Sequence, residues 1–416
     1  MKRYRFISWQ SFFLLALIAL SVQGCLGIGA SSTSQNFKQV NTSAGSHLSV
    51  NSGNQALFNG KIYFTQNRNL FVVDGSRNVT QLTKNVDVRD PSVSPNGKWI
   101  AFIERFTDYA DLIIMSTNGG PWHTIIVGNG HFYANSGGFI QNDFYWIGQP
   151  SWSPDSSHVL FLSDFQKNFD WANLGGDFAA APFVDLQVFS IAVNLNQPPY
   201  NGAQAKAASQ IVAYADYGDG GDRDPMYRPK NPNQIIFTHY TYDKTGTTQH
   251  IQLYLENPNA IAANPGKYSP GIEGSGYDPA VALTPPSVES MQPYFSPDGN
   301  SIAYIRRIDP THSGLYVMPL PTTDVTANPN DPAVAKAALA PFAKSSLIVS
   351  GQFISQPVWS PDGKQIAYLS YNNSEFDIWL ANVSVDPKTG ADKMSGSPVQ
   401  LTQGGVDADS RPFWTA

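Results

Sequence analysis

Short apolar runs separated by turn-forming residues punctuate the chain, and the runs come in sets. One set reads WIAFIE (99–104), VLFLSD (159–164), QIIFTHY (234–240), SIAYIRR (301–307) and QIAYLSY (365–371). A second run follows each: DLIIMS (111–116), LQVFSIAV (186–193), IQLYLEN (251–257), GLYVMPL (314–320) and DIWLANV (377–383). A third closes each unit: HTIIVG (123–128), SQIVAYA (209–215), AVALT (280–284), SLIVSG (346–351) and PVQLT (398–402). Runs this short, rich in β-branched and aromatic residues and bounded by Gly, Pro, Asn and Asp, predict strands. A further short strand precedes each set: RDPSV from Arg89, QPSW from Gln149, RDPMY from Arg223, QPYF from Gln292 and QPVW from Gln356. SPDG or a variant joins it to the next run. Proline presets the first central residue of a type I turn, and glycine takes the left-handed position that closes the hairpin.

Four strands recurring as a unit predict a blade of a β-propeller. The repeat prolines are Pro91, Pro150, Pro225, Pro293, Pro357 and Pro412, so the sequence predicts an all-β protein with six four-stranded antiparallel blades. The span from Pro150 to Pro225 suits one blade with insertions better than two. The last copy, RPFWTA, is only a first strand, and residues 59–83 hold only a second, third and fourth. The two are predicted to complete one blade, with Phe413 and Trp414 beside Ile62, Tyr63 and Phe64. That pairing closes the ring and leaves no sheet edge bare there.

The pattern P-x-W-S-P-D-G-x-x-I-A-F with a closing L-T resembles the TolB-type β-propeller repeat of bacterial envelope proteins. The resemblance covers residues 59–416 and is specific to the fold. It implies a six-bladed ring and, by analogy, work in the cell envelope. In TolB itself an α/β domain precedes the propeller. Residues 1–58 show no counterpart to it. The motif decays at SPNG (Ser94), SPDS (Ser153) and RPKNP (Arg228).

The N-terminus predicts an address. Lys2, Arg3 and Arg5 precede the apolar run FFLLALIAL. A run of about 12 residues spans only ~18 Å as a helix, short of a ~30 Å bilayer core. It reads as a signal peptide over 1–24. Val22-Gln23-Gly24-Cys25 resembles a lipobox, which implies cleavage before Cys25 and acylation (palmitate among the chains) of the only cysteine in the sequence. An ordinary secretory signal with an incidental Cys25 is the plainer reading. Leu26 after the cysteine, in place of Asp, favours the outer membrane in a two-membrane cell; in a single-membrane cell the anchor would lie in the outer face of the cell membrane. Residues 25–55 then form a lipidated cysteine and a Ser/Asn/Gly-rich tether, and 56–416 the propeller. Cleavage removes three of the 26 Lys and Arg and none of the 32 Asp and Glu, shifting the formal charge from −6 to −9. That balance repels nucleic acid. The overall composition, 42% hydrophobic and 14% charged, suits a large folded core.

Up-and-down topology sorts the loops onto two faces. Blade-to-blade connections share one face, here termed the loop face, with the loops between second and third strands. The SPDG turns occupy the other, the turn face, together with the third-to-fourth-strand loops. One of the latter, 330–343, predicts a short helix capped by Asp331 with Pro332 in its first turn. The loop face takes the aromatic insertions 131–146 and 165–183. Phe132, Tyr133, Phe144, Tyr145, Trp146, Phe165, Phe169 and Trp171 are candidates for a recognition surface, either for a protein partner or for stacking on a glycan. The plainer reading is that these loops bury their own aromatics. Asp216, Asp219, Asp222 and Asp224 are candidate oxygen ligands for Ca²⁺, although their spacing departs from D-x-D-x-D-G. The plainer reading there is a solvated turn. His131, His239, His250 and His312 fall on the same face, and His239 and His250 flank one hairpin. No G-x-S-x-G or H-E-x-x-H accompanies them, so the reading is a lipid-anchored binding or scaffold protein of the cell envelope rather than an enzyme. Its alternative is a carbohydrate-binding or carbohydrate-active propeller, a lyase or hydrolase, with a metal site.

Overall fold

Each repeat folds into one antiparallel sheet because its runs are apolar throughout. Residues 62–66 and 100–103 are buried without a break, on both faces at once. A strand covered on both sides needs no polar alternation. The computed structural model describes residues 36–40, 47–53, 57–129, 132–134, 140–142, 145–165, 185–215, 219–243, 245–264, 279–387 and 390–416. The chain divides into two compact units, Met1–Asn36 and Phe37–Ala416, and the sheets among the described residues all lie in the second.

Blade one consists of Phe413–Thr415, Lys61–Gln66, Asn69–Asp74 and Val79–Gln81, in that order across the sheet. The closing pairing is as the repeat predicts: Trp414 lies opposite Ile62 and Phe413 opposite Tyr63. The first strands of the following blades are Val88–Val93, Ile147–Trp152, Asp222–Arg228, Ser290–Phe295 and Ile354–Trp359. Each packs on the first strand of the next, and Phe413–Thr415 packs on both Val88–Val93 and Ile354–Trp359. These strands surround a central channel. Apolar clusters fill the space between neighbouring blades; Ile62, Phe64, Trp359, Ile366 and Trp414 share one of them.

Among the described residues the strands assemble into seven sheets of three or more strands, which corrects the six blades that the repeats predict. Most sheets have four strands. The seventh is the smallest and comprises Phe37–Gln39, Ser49–Asn51 and Thr402–Gln403. Its first two strands lie in the stretch whose composition reads as tether. Leu48 and Val50 carry it into the core, being 0% and 3% exposed. Counting prolines does not find a sheet built outside the repeat.

The SPDG turns behave as predicted. In blade six, Ser360 Oγ donates to Asp362 Oδ1 (2.7 Å) and accepts from the Gln365 N–H (2.9 Å). The left-handed position is Gly97, Gly299 and Gly363 in three blades, with φ of 71°, 75° and 69°. The two decayed copies that lack the glycine keep the same conformation with Ser156 and Lys230. The predicted helix is present as Pro332–Leu339, with the Ala333 N–H donating to Asp331 Oδ1 at 2.8 Å.

Candidate functional site at the central channel

The residue before each repeat proline shapes the channel. Asp90, Gln149, Asp224, Gln292 and Gln356 all have left-handed φ, between 47° and 58°. Each sits where the ladder between first and second strands skips register. These are β-bulges, tolerated because the following proline has no N–H to offer the ladder. Each bulge breaks the alternation of side chains and leaves a polar group on the channel side. The five are joined by Arg411, which precedes Pro412.

Arg411 spans the channel. Its Nη2 donates to Asp224 Oδ1 at 2.6 Å, its Nε to Gln356 Oε1 at 3.2 Å, and its backbone N–H to Asp90 Oδ1 at 2.9 Å. Its guanidinium also lies 6.0 Å from the centre of the Tyr294 ring. The remaining polar groups answer one another. Gln149 Nε2 donates to Asp224 Oδ1 (3.0 Å), Gln149 Oε1 accepts from the Asp224 N–H (2.5 Å), and Gln292 Oε1 accepts from the Gln356 N–H (2.8 Å). Thr238 Oγ1 bridges, donating to Asp224 Oδ2 and accepting from the Gln292 N–H. This polar throat occludes the channel toward the loop face.

Asp90 is half-buried at the channel wall. Burial raises its carboxyl to about 6; the charges of Asp224 and Asp409 push the same way, and Arg411 opposes them. A carboxyl raised from 3.8 favours folding in its protonated form. Its contribution is full below pH 4 and is lost as pH rises through 6. At roughly 1.4 kcal/mol per pH unit, the loss is up to about 3 kcal/mol. Asp90→Asn keeps the oxygen that accepts from Arg411. Its unfolding free energy is expected to vary less than wild type between pH 4 and pH 7.5. Equal slopes in the two proteins would contradict this account of Asp90.

Toward the turn face the channel widens into an apolar funnel of about 430 Å³. Trp152, Tyr227, Tyr294, Phe295, Trp359, Phe413 and Trp414 line it, and five prolines of the turns, Pro95, Pro154, Pro229, Pro297 and Pro361, surround its mouth. On the loop face a second depression of about 260 Å³ lies between blades five and six, lined by Met291, Ile305, Arg307, His312, Phe353 and Phe376. Phe353 is 52% exposed and left-handed (φ 48°), and its ring meets Tyr371 edge-on at 5.7 Å. A phenylalanine in that region is an uncommon, strained conformation.

The candidates read from sequence divide. Tyr145 is a core residue, 8% exposed and edge-on to the fully buried Phe165 at 4.8 Å, so these two loop aromatics fold inward. Trp146 is half-buried, with Arg105 lying 6.0 Å from its ring centre. Phe132 and Tyr133 lie on a short strand, Phe132–Ala134, paired to Ile140–Asn142. Cys25, His131, Phe144, Phe169, Trp171 and Asp216 lie outside the described residues. The other acids do not converge. Asp222 is fully buried, with Oδ1 2.7 Å from His239 Nδ1; Asp224 belongs to the throat; and Asp219 Oδ2 accepts from the Tyr242 N–H at 3.3 Å. Among the described residues no group of three or more His, Cys, Asp or Glu could hold a metal ion. His239 and His250 have separate partners, Asp222 and the Pro286 carbonyl. Apart from Asp224, which it read as a metal ligand, sequence reasoning missed the throat residues and Phe353. The throat had a signal in the sequence: a polar residue before every repeat proline.

No family model matches the chain, and neither does any curated protein. Solved structures do. TolB from Acinetobacter baumannii superposes with a TM-score of 0.51 at 15% identity, over 85% of this chain and 66% of that one. The fold is that of a TolB-like β-propeller. An oligogalacturonate lyase in complex with manganese (TM-score 0.45, 12% identity, 86% and 83% coverage) and a putative TolB from Agrobacterium tumefaciens (0.43, 12%, 85% and 95%) are more distant. Among the described residues no helix is long and apolar enough to cross a membrane.

Proposed function

We propose that the chain is a cell-envelope lipoprotein whose propeller binds a protein partner through its loop face. The observation that carries this reading is the exposed pair Phe353 and Tyr371 beside the 260 Å³ depression. Large exposed aromatics next to a pocket are typical anchors of protein interfaces. A strained backbone holds Phe353 outward, half exposed, with its ring against Tyr371. Trp146, with Phe132 and Tyr133, extends the proposed surface to another blade. The signal-like N-terminus and the Cys25 motif support a lipid anchor, which the TolB-like fold suits.

The test uses the full chain in its native membrane. Wild type and the double variant F353A/Y371A are crosslinked and the adducts identified by mass spectrometry, with melting curves for both. One discrete protein adduct present in wild type and lost in an equally stable variant is the expected result. Identical adducts, or none, would remove the protein-binding reading and favour the glycan alternative. Incorporation of a labelled fatty acid by wild type and not by C25A tests the anchor separately.

A further inference from the structure

Charge is divided unevenly along the chain. Between Cys25 and Val86 it carries five cations, Lys38, Lys61, Arg68, Arg77 and Lys84, against one acid, Asp74. Residues 87–416 carry 18 Lys and Arg against 31 Asp and Glu. The cationic stretch holds three strands of blade one and two of the seventh sheet. Asp74 is occupied within its own turn, accepting from the Asn78 N–H at 2.8 Å and from Asn78 Nδ2 at 3.0 Å.

The fold gathers part of this charge. Lys38 lies opposite Val50, and Val50 opposite Thr402, so the incoming chain is stitched to the end of blade six's fourth strand. A groove of about 470 Å³ separates these strands from the turn between the third and fourth strands of blade one, and Lys38, Ser52, Ser76, Arg77 and Asn78 line it. Among the described residues no acidic side chain lines it. Lys38 is exposed, and an Arg77 guanidinium N–H donates to the Gly53 carbonyl, which ties that cation to the strand opposite. Two cations beside hydroxyl and amide donors match the oxygens of a phosphate. Lys61, also exposed, lies opposite Asp74 at the same end of blade one. Arg68 and Lys84 belong to loop-face connections, and Arg68 is within 3.6 Å of Asp87.

Chain length brings a bilayer within reach. Eleven residues separate Cys25 from Phe37. At no more than ~3.5 Å per residue, that connection spans at most ~40 Å. An acylated Cys25 would hold the residue next to Lys38 within that distance of the membrane. Anionic headgroups attract Lys and Arg over about a Debye length, ~10 Å.

We infer that this groove docks on acidic phospholipid headgroups, with Lys38 and Arg77 holding a headgroup phosphate. The turn-face rim of blade one then lies on the bilayer and the loop face points away from it. The inference rests on the lipid-anchor reading and gives the proposed partner surface its orientation.

Footprinting of the full chain tests it. Protein purified from its membrane is reconstituted in vesicles of phosphatidylcholine alone, or of phosphatidylcholine and phosphatidylglycerol in equal parts. Flotation reads the anchor. Lysine acylation by a water-soluble reagent, followed by mass spectrometry, reads the groove. One cation at an anionic surface is worth about fivefold in binding, and two about 25-fold. Lys38 is therefore expected to react at least about tenfold more slowly on anionic vesicles than on neutral ones, with Lys84 equally fast on both. Arg77→Gln is expected to cut the protection of Lys38 by about fivefold, and Arg68→Gln to leave it unchanged. Should Arg77→Gln not fold, wild type in molar salt decides: Lys38 labelling must recover there. A chain that does not float defeats the anchor reading and the docking with it. A chain that floats, but has Lys38 labelled equally on both vesicles or protected no more than Lys84, defeats the docking alone. Equal protection by inorganic phosphate on neutral vesicles would assign the groove to a free anion instead.

Discussion

Replacing Arg411 with alanine is expected to cost about 3–5 kcal/mol of unfolding free energy, the usual loss when one partner of a buried ion pair is removed. The reason lies in what remains. Arg411 and Asp224 side chains are 14% and 4% exposed, and their contact is 2.6 Å. Without the guanidinium, the buried Asp224 carboxylate is left among Gln149, Thr238 and Pro225, with neutral donors only. Gln356 Oε1 also loses its donor, and the ring of Tyr294 its cation. Urea unfolding at pH 7.5 measures the loss. Asp224→Asn in the Arg411→Ala background is expected to recover part of it, since the stranded charge is then gone. A loss below 1 kcal/mol for Arg411→Ala, or strict additivity of the two changes, would show that the throat is decoration on a ring stable without it.

Trp414→Ala is expected to be of similar size, about 3–5 kcal/mol from the cavity and lost burial alone. Trp414 is 3% exposed, packs edge-on against Phe58 at 5.6 Å, and bonds Asn59 through its indole. It is also a main anchor of a closing strand only three residues long. If that strand frays, Lys61–Gln66 becomes an open edge with apolar side chains, a template for association. The variant is therefore expected to scatter light at concentrations where wild type does not. Trp414→Phe keeps the ring contact and is expected to lose about 1–2 kcal/mol. A variant that melts like wild type and stays monodisperse would mean that the seam does not depend on this residue.

The strands and the seam were readable in the sequence for a shared reason. WIAFIE, SIAYIRR and QIAYLSY are buried on both sides, so hydrophobicity alone marks them, and the turns between them are fixed by Pro and Gly. The seam followed from a unit that was incomplete at both ends. The seventh sheet was not readable, because Phe37–Gln39 and Ser49–Asn51 are too short and polar to stand out from a linker. Two of the loop aromatics, Phe165 and Tyr145, were unreadable as core for a different reason. Phe165 and Tyr145 satisfy each other, and sequence does not say whether a ring in a loop faces out or in. Asp222 and Asp224 read as metal ligands because spacing shows carboxylates and hides their partners. His239 comes from the neighbouring strand, but Arg411 comes from 187 positions away. The throat rests on bulges, and a bulge is a property of two paired strands that no single run displays.

The seam also sets a schedule. Trp414 meets Asn59 across 355 positions of chain. At roughly 5–20 residues per second, a ribosome needs on the order of 20–70 s between making the first side of that junction and the second. Through that interval the Ile62–Phe64 edge has no partner of its own, and any earlier closure would pair it with the wrong strand. The nascent propeller is thus an open arc that later becomes a circle in one step. A chain exported before its final strand emerges would need that edge shielded on the way.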